Sequence, residues 1–347
     1  MHTDQMNAEA DLSARAEAGD PAAQFALGQS LLQTGQTPED FSRAVSLIES
    51  ACAAGNGDAM ERLALFEAMG VGRPQSWQRA FDALQQAAER GSRSAQRQLL
   101  ILADPTADAE LPKAPGSSFW AETRSRISLE GLLRHGERRA LSNAPRIRVI
   151  DGFATPAECR WLIERARDRL QAAVVLDIHG QHVVDSERTN RSAYFQVADM
   201  DLVLEMIRTR IAAATHVPVP VFEPPQLLHY SVGQEFKRHL DYLEPSNPNH
   251  HERLREGGQR IATFLIYLNE EFEGGETEFS QIGLRYRGKT GDAIFWANCD
   301  MEGRPDPMTL HAGLPPTAGE KWILSQWIRD RQRHFARAGD KEDERVG

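Results

Sequence analysis

Two patterns of hydrophobic and polar positions divide the chain. Through about residue 103 it is rich in Ala, Gln, Leu and Glu, residues that favour helix, and it repeats. Gly19, Gly55 and Gly91 stand 36 residues apart, as do Ala23, Ala59 and Ala95, and Leu27, Leu63 and Leu99. Ala44 pairs with Ala80, and Ala51 with Ala87, at the same offset. A fixed period of this length predicts a helix-turn-helix solenoid, each repeat being too small to bury its own apolar face. The small residues let paired helices approach closely, and each glycine suits a helix C-terminus that needs positive φ.

Residues 104–118 carry Pro105, Pro112, Pro115 and Gly116 and read as a linker. Residues 128–140 then predict one amphipathic helix, with Leu129, Leu132 and Leu133 apolar and Arg134, Glu137, Arg138 and Arg139 mostly solvated. At Arg146–Ile150 a strand-like alternation opens a second domain. Thr155-Pro156-Ala157-Glu158 forms a capping box with proline at N1, and Cys159, Leu162, Ile163, Ala166 and Leu170 give the helix behind it a buried stripe. Short strands are expected at 174–178 and 182–184, with His179 and Gly180 in the turn, and a second helix at 200–214.

From Gln226 the period drops to two. Residues 226–232, 236–241, 261–269, 277–280, 284–287, 292–297, 309–311 and 322–327 are short alternating runs punctuated by glycines. Many short strands at modest spacing predict a sandwich or jelly-roll barrel. The polar stretch 244–258, with Pro245, Pro248, His250 and His251, reads as a long mobile loop near the barrel mouth. The expected architecture is therefore two-domain, an N-terminal all-α solenoid followed by an α+β domain. Its boundaries fall at 1–104 (repeats), 105–145 (linker and connecting helix), 146–332 (barrel domain) and 333–347 (charged tail).

Composition narrows the function. A length of 347 residues fits two domains better than one core. With 40 Lys+Arg against 50 Asp+Glu the net charge is −10, which disfavours a uniformly basic binder of nucleic acid or of membrane surfaces. Cys52, Cys159 and Cys299 are odd in number and far apart, giving neither a disulfide framework nor a zinc pattern. No signal peptide or membrane-spanning run is visible, so a cytoplasmic location is expected.

Candidate chemistry centres on Phe236-Lys237-Arg238-His239-Leu240-Asp241. His239 and Asp241 are two apart, so on a strand they share a face. A distant histidine, His311, would complete two imidazoles and one carboxylate around a metal with open positions, the set that suits non-haem Fe(II) oxygenases. Tyr230 lies nine residues before His239 and Lys321 ten after His311. A buried lysine is costly unless it meets an anion, so an inward Lys321 with Tyr230 beside it suits a small dianionic co-substrate.

These residues resemble two families. Ala18-Gly19, Ala23, Leu27-Gly28 and Ala54-Gly55, Ala59, Leu63 are similar to SEL-one-like repeats over about residues 12–103, departing at Arg90 and Ala64. That likeness implies a docking role for a protein partner; packing against the second domain is the alternative. Val149-Ile150-Asp151-Gly152-Phe153, Tyr230-Ser231-Val232-Gly233, His239-Leu240-Asp241, the run Arg260–Asn269, Gly274-Gly275-Glu276-Thr277-Glu278-Phe279, the run Gly291–Trp296, His311-Ala312-Gly313 and Gly319-Glu320-Lys321-Trp322 resemble the prolyl 4-hydroxylase branch of the Fe(II)/2-oxoglutarate-dependent dioxygenases.

This second resemblance, over about residues 146–332, implies a double-stranded β-helix flanked by helices. It implies Fe(II) on His239, Asp241 and His311, and the distal carboxylate of 2-oxoglutarate on Lys321 and Tyr230, with Thr277 and Trp327 as further pocket residues. Decarboxylation to succinate and CO₂ would accompany hydroxylation of an unactivated C–H, with ascorbate as auxiliary reductant. Asp241 favours hydroxylation over halogenation, and Lys321 in place of Arg points away from nucleic-acid demethylation. Arg188, Arg191 and Tyr194 are the expected substrate-side residues. Substrate class is left open by the sequence: a prolyl residue of a peptide or protein, a small molecule, or none if the barrel is an inactive adaptor. His229, before Tyr230, departs from the pattern.

Overall fold

The computed structural model describes residues 2–106, 111, 113, 115–172, 175–176, 182–183, 187–300 and 302–332. The chain divides into two compact units, Met1–Arg134 with Phe195–Arg210, and His135–Tyr194 with Ile211–Gly347. The division differs from the expected one. The connecting region up to Arg134 belongs to the helical unit, and so does a segment taken from the middle of the barrel sequence.

Six helices build the repeats: α1 (His2–Glu17), α2 (Pro21–Thr34), α3 (Pro38–Ala53), α4 (Gly57–Met69), α5 (Trp77–Glu89) and α6 (Arg93–Ala103). The 36-residue period has a local cause. Asp20, Asn56 and Ser92 each cap the second helix of a pair by accepting from the backbone N–H of Ala23, Ala59 and Ala95. The residue before each cap is Gly19, Gly55 or Gly91, at φ +88, +89 and +90, a conformation that side chains with a Cβ rarely adopt. Ala44, Ala51, Ala59, Ala80, Ala87 and Ala95 are fully buried where the helices meet.

Two further helices, α7 (Ser117–Ser125) and α8 (Leu129–Leu133), extend this unit, with α7 against α5 and α6. The helix expected over 128–140 stops at Leu133. Arg139–Asn143 is instead a strand, pairing antiparallel with 146–150, so sheet formation overrides local helix preference there. The segment Phe195–Arg210 is bound to the repeats by polar contacts. Arg62 donates to the carbonyls of Val197, Ala198 and Met200, and the Leu202 amide donates to Gln98 Oε1 at 2.8 Å.

The second unit holds α9 (Pro156–Arg167), started by the expected capping box of Thr155 and Glu158. Helix α10 (Leu202–Thr215) begins in the helical unit and ends in this one. The stretch expected as a loop contains α11 (Pro248–Gly257), capped by Asn247 with proline at N1. Strands run in chain order: β1 (Arg139–Asn143), β2 (Arg146–Ile150), β3 (Gln171–Ala172), β4 (Val175–Leu176), β5 (His182–Val183), β6 (Arg191–Tyr194), β7 (Gln226–Tyr230) and β8 (Phe236–His239). They continue with β9 (Arg260–Tyr267), β10 (Phe272–Gly274), β11 (Thr277–Phe279), β12 (Leu284–Tyr286), β13 (Ala293–Ala297), β14 (His311–Gly313), β15 (Pro316–Gly319) and β16 (Lys321–Arg329).

An eight-stranded sheet, β1-β2-β13-β9-β16-β7-β6-β3, and a four-stranded sheet, β12-β11-β14-β8, form the two walls of the jelly roll. Between them lies a core of Val149, Leu228, Tyr267, Phe279, Trp296 and Ile323, all nearly inaccessible. The turn between β4 and β5, with His179 and Gly180, and the tail 333–347 lie outside the described residues. Among the described residues no helix is long and apolar enough to cross a membrane, and the three cysteines are free thiols.

Candidate active site

Strand alternation decides which side chains face the interior. From β7 these are Gln226, Leu228 and Tyr230; from β16, Lys321, Ile323, Ser325 and Trp327; from β9, Thr263 and Leu265. With Phe236, His239, Asp241, Thr277, His311 and Arg188 they line one pocket. His229, the neighbour of Tyr230, falls on the other face of β7, against Trp322 and within 2.9 Å of Glu320.

His239 and His311 are register partners across β8 and β14. Asp241 follows β8 and turns between them, and its oxygens lie 3.6 Å from His239 Nε2 and 3.5 Å from His311 Nε2. One donor atom from each residue falls within 4.8 Å of the others, the one His/Cys/Asp/Glu cluster of this kind among the described residues. Each imidazole is oriented from behind. His239 Nδ1 bonds to the Lys237 carbonyl at 2.7 Å and His311 Nδ1 to the Thr309 carbonyl at 2.9 Å. A carbonyl only accepts, so each Nδ1 carries a hydrogen and each Nε2 is turned towards Asp241.

The electrostatics suit a cation. Burial, with the neighbouring His239, pushes His311 down to about 4, so its ring stays neutral. Burial alone would raise Asp241, but His311, His239 and the hydroxyl of Thr263 hold it well below the usual carboxylate range. Phe236 stacks on His239 with ring centroids 3.5 Å apart, and the Arg188 guanidinium lies over the Phe236 ring at 4.6 Å. Two imidazoles anchored through Nδ1 and a carboxylate, with donor atoms within 4.8 Å of one another, fit a non-haem Fe(II) ion with open positions.

Deeper in the pocket sits Lys321, 2% exposed. Its ammonium lies over the rings of Tyr230 at 4.9 Å and Tyr267 at 5.4 Å, and burial lowers it to about 7, with Glu276 opposing. No carboxylate among the described residues forms an ion pair with it. Gly275, at φ +67, lets the chain pass close: a Cβ there would meet Phe272 at 3.0 Å and Lys321 Cδ at 3.3 Å. Tyr230 is pushed up to about 12 by burial and keeps its phenolic hydrogen. Thr277 Oγ1 lies 2.9 Å from the Tyr267 hydroxyl. A buried ammonium without a carboxylate, flanked by a phenol and an alcohol, is built to receive an anion.

Of the expected substrate-side residues, only Arg188 reaches the pocket, held by Asn190 Oδ1 and Gln226 Oε1 at 3.2 Å each. Arg191 instead donates to the Leu170 carbonyl at 2.6 Å, and Tyr194 is exposed; neither lines the pocket. Both lie on β6, which pairs with the outer side of β7, so strand order carries them away.

Residues 225–329 match the family model of the 2OG-Fe(II) oxygenase superfamily. Prolyl 4-hydroxylase 1 of Arabidopsis thaliana is 33% identical over 217 residues, covering 58% of this chain and 75% of that protein. The chain belongs to the prolyl 4-hydroxylase family. It is a 2-oxoglutarate- and Fe(II)-dependent dioxygenase, with O₂ as the second co-substrate.

Among solved structures, this prolyl 4-hydroxylase is similar to the viral collagen prolyl hydroxylase of Paramecium Bursaria Chlorella virus-1. Identity there is 28% and the TM-score 0.41, over 52% of this chain and 94% of that one. A Sel1 repeat protein from Oxalobacter formigenes is similar at 23% identity and a TM-score of 0.26, over 33% of this chain and 86% of that one.

Several residues around the prolyl 4-hydroxylase site carried no sequence signal of their own. Arg260 is buried, forks onto Glu223 at 2.6 and 2.8 Å, and lies 3.5 Å from the centre of the Trp327 ring. Arg329 also binds Glu223 at 2.6 Å. Burial opposes ionisation of Glu223, yet the two guanidiniums hold it down at about 2. An acid 37 residues before its arginine was not recognisable without the strand order.

Proposed function

We propose that this protein hydroxylates a prolyl residue of a peptide or protein, with Fe(II) on His239, Asp241 and His311 and 2-oxoglutarate on Lys321 and Tyr230. The observation that carries the reading is the convergence of a two-histidine, one-carboxylate face and a buried ammonium in a single pocket. When bound, iron and 2-oxoglutarate supply the oxidation of an unactivated C–H, with succinate and CO₂ released. The chain supplies the rest.

Lys321 takes the distal carboxylate by a charge-assisted bond, and the protonated Tyr230 donates beside it. Thr277 and Trp327 line the same pocket. Arg188, pinned by Asn190 and Gln226, offers its guanidinium to a substrate carbonyl at the mouth. A peptide substrate is supported by the kinship with Arabidopsis prolyl 4-hydroxylase 1. We assign the helical repeats to capture of a protein partner, and ascorbate to the auxiliary reductant's role.

The test is anaerobic loading with Fe(II) and 2-oxoglutarate, then O₂, with succinate measured with and without proline-containing peptides. Succinate that rises with peptide, together with a mass gain of one oxygen on proline, supports the proposal. Correctly folded, iron-loaded protein that forms no succinate under either condition overturns it.

A further inference from the structure

Behind the metal face runs a hydrogen-bonded chain that ends on two of the three metal-binding side chains. Thr263 Oγ1 donates to Asp241 Oδ2 at 2.6 Å, and Asn298 Nδ2 donates to Thr263 Oγ1 at 3.0 Å. The direction is fixed. An ionised carboxylate only accepts, so the single Thr263 hydrogen goes to Asp241, and the Thr263 lone pair then needs a donor, which Asn298 provides. All three side chains are at most 4% exposed, and hydrogen bonds in series in such surroundings polarise one another.

The same asparagine reaches His311 by its main chain. The Asn298 carbonyl accepts from the Asp306 amide at 2.9 Å. The Asp306 carbonyl accepts from the Thr309 hydroxyl at 2.6 Å and the Thr309 amide at 3.1 Å. The Thr309 carbonyl in turn receives the Nδ1 hydrogen of His311. Asn298 and Thr309 are thus linked through Asp306, the first bound towards Asp241 and the second towards His311.

An asparagine kept merely for its own satisfaction in the core would pair both of its polar atoms. Asn298 Oδ1 is buried without a partner among the described residues, so only its donor is used, and that donor is spent on Thr263. We infer that Asn298 is a positioning residue of the metal centre, acting on Asp241 through Thr263 and on His311 through Asp306 and Thr309. It sets the separation of the carboxylate from the imidazole without touching either. The inference rests on the metal-binding assignment proposed above.

The test reads metal affinity directly. Anaerobic titration with Co(II), followed by its visible absorption, compares wild type with Thr263→Val, Thr263→Ser, Asn298→Leu and the Val/Leu double variant. Outer hydrogen-bond partners of metal ligands typically contribute about 10–100-fold to affinity. Thr263→Val is expected to weaken Co(II) by that amount, and Asn298→Leu by a smaller factor. Thr263→Ser should restore wild-type binding. The double variant should bind no more weakly than Thr263→Val alone, because Asn298 reaches the carboxylate through that hydroxyl.

Melting of the metal-free proteins reports folding. Should Asn298→Leu fail to fold, Asn298→Ser, smaller and polar, is expected to show the same loss. Folded variants with wild-type Co(II) affinity, or losses that add in the double variant, overturn the inference. Wild type that binds no Co(II) overturns the metal-site assignment instead.

Discussion

Lys321 and Tyr230 face each other as register partners across β16 and β7, with the ammonium 4.9 Å from the centre of the phenol ring. Strand pairing alone therefore sets the pairing of cation and hydroxyl donor. Lys321→Ala should raise the concentration of 2-oxoglutarate needed for half-maximal succinate formation by about 10-fold or more, the scale of one charge-assisted hydrogen bond. Metal affinity should change little. An unchanged 2-oxoglutarate requirement would contradict the pocket assignment.

The same lysine makes stability depend on pH in an unusual direction. Its folded value is about 7, against 10.5 for an ordinary lysine. Between those limits the unfolded chain binds the extra proton, so stability of the ligand-free protein rises with pH, by up to about 1.4 kcal/mol per unit. Below pH 7 the full cost of the buried charge is present. Lys321→Met should therefore be more stable than wild type at pH 6.5, with a gap that narrows by pH 9.5 and shrinks when wild type is saturated with 2-oxoglutarate. Denaturant melts across that range check it.

Glu223 neutralises two buried guanidiniums, so Glu223→Gln leaves Arg260 and Arg329 without their carboxylate. Breaking one side of a buried charge cluster costs about 3–5 kcal/mol, and urea unfolding should show a loss of that size. Because Glu223 is depressed to about 2 from 4.5, its contribution is fully present above pH 4.5 and is lost as pH falls towards 2. The wild-type advantage over the variant should fade in that window.

Removing residues 1–104 should destabilise more than the repeats. It deletes Arg62 and Gln98, which hold the carbonyls of Val197, Ala198 and Met200 and the amide of Leu202. It also uncovers the start of α10, where Leu202, Val203, Leu204, Met206 and Ile207 are almost fully buried. The truncated protein is expected to aggregate or to lose several degrees of melting temperature. A soluble, fully active fragment would show that the 195–210 segment stands without the repeats.

The parts legible in the sequence were those with a short period or a fixed chemical signature. The 36-residue repeat was readable because Asp20, Asn56 and Ser92 cap equivalent helices, each after a glycine in the left-handed region. His239 and Asp241 were readable as a pair two residues apart, although β8 ends at His239 and Asp241 comes from the turn just beyond it rather than from the same strand face. The helix α11 carried a signal that composition masked: Asn247-Pro248 is a cap followed by proline at N1, set in a polar run that reads as a loop.

What could not be read depended on register between distant strands. Thr263 meets Asp241, and Asn298 meets Thr263, only because β9 lies between β13 and β16. Arg191 and Tyr194 lie close in sequence to Arg188, yet the place of β6 between β7 and β3 takes them from the pocket while Arg188 remains. Nothing local distinguishes the three.

The assignment of Phe195–Arg210 to the helical unit has a consequence for how such a protein could arise or be rebuilt. The chain crosses between units at 134/135, 194/195 and 210/211, three junctions where a tandem fusion has one. A repeat array transplanted by a single cut would arrive without the strand-to-helix segment that completes it. An exchange of the helical unit between relatives therefore has to carry two separate stretches of sequence, the second taken from within the barrel sequence.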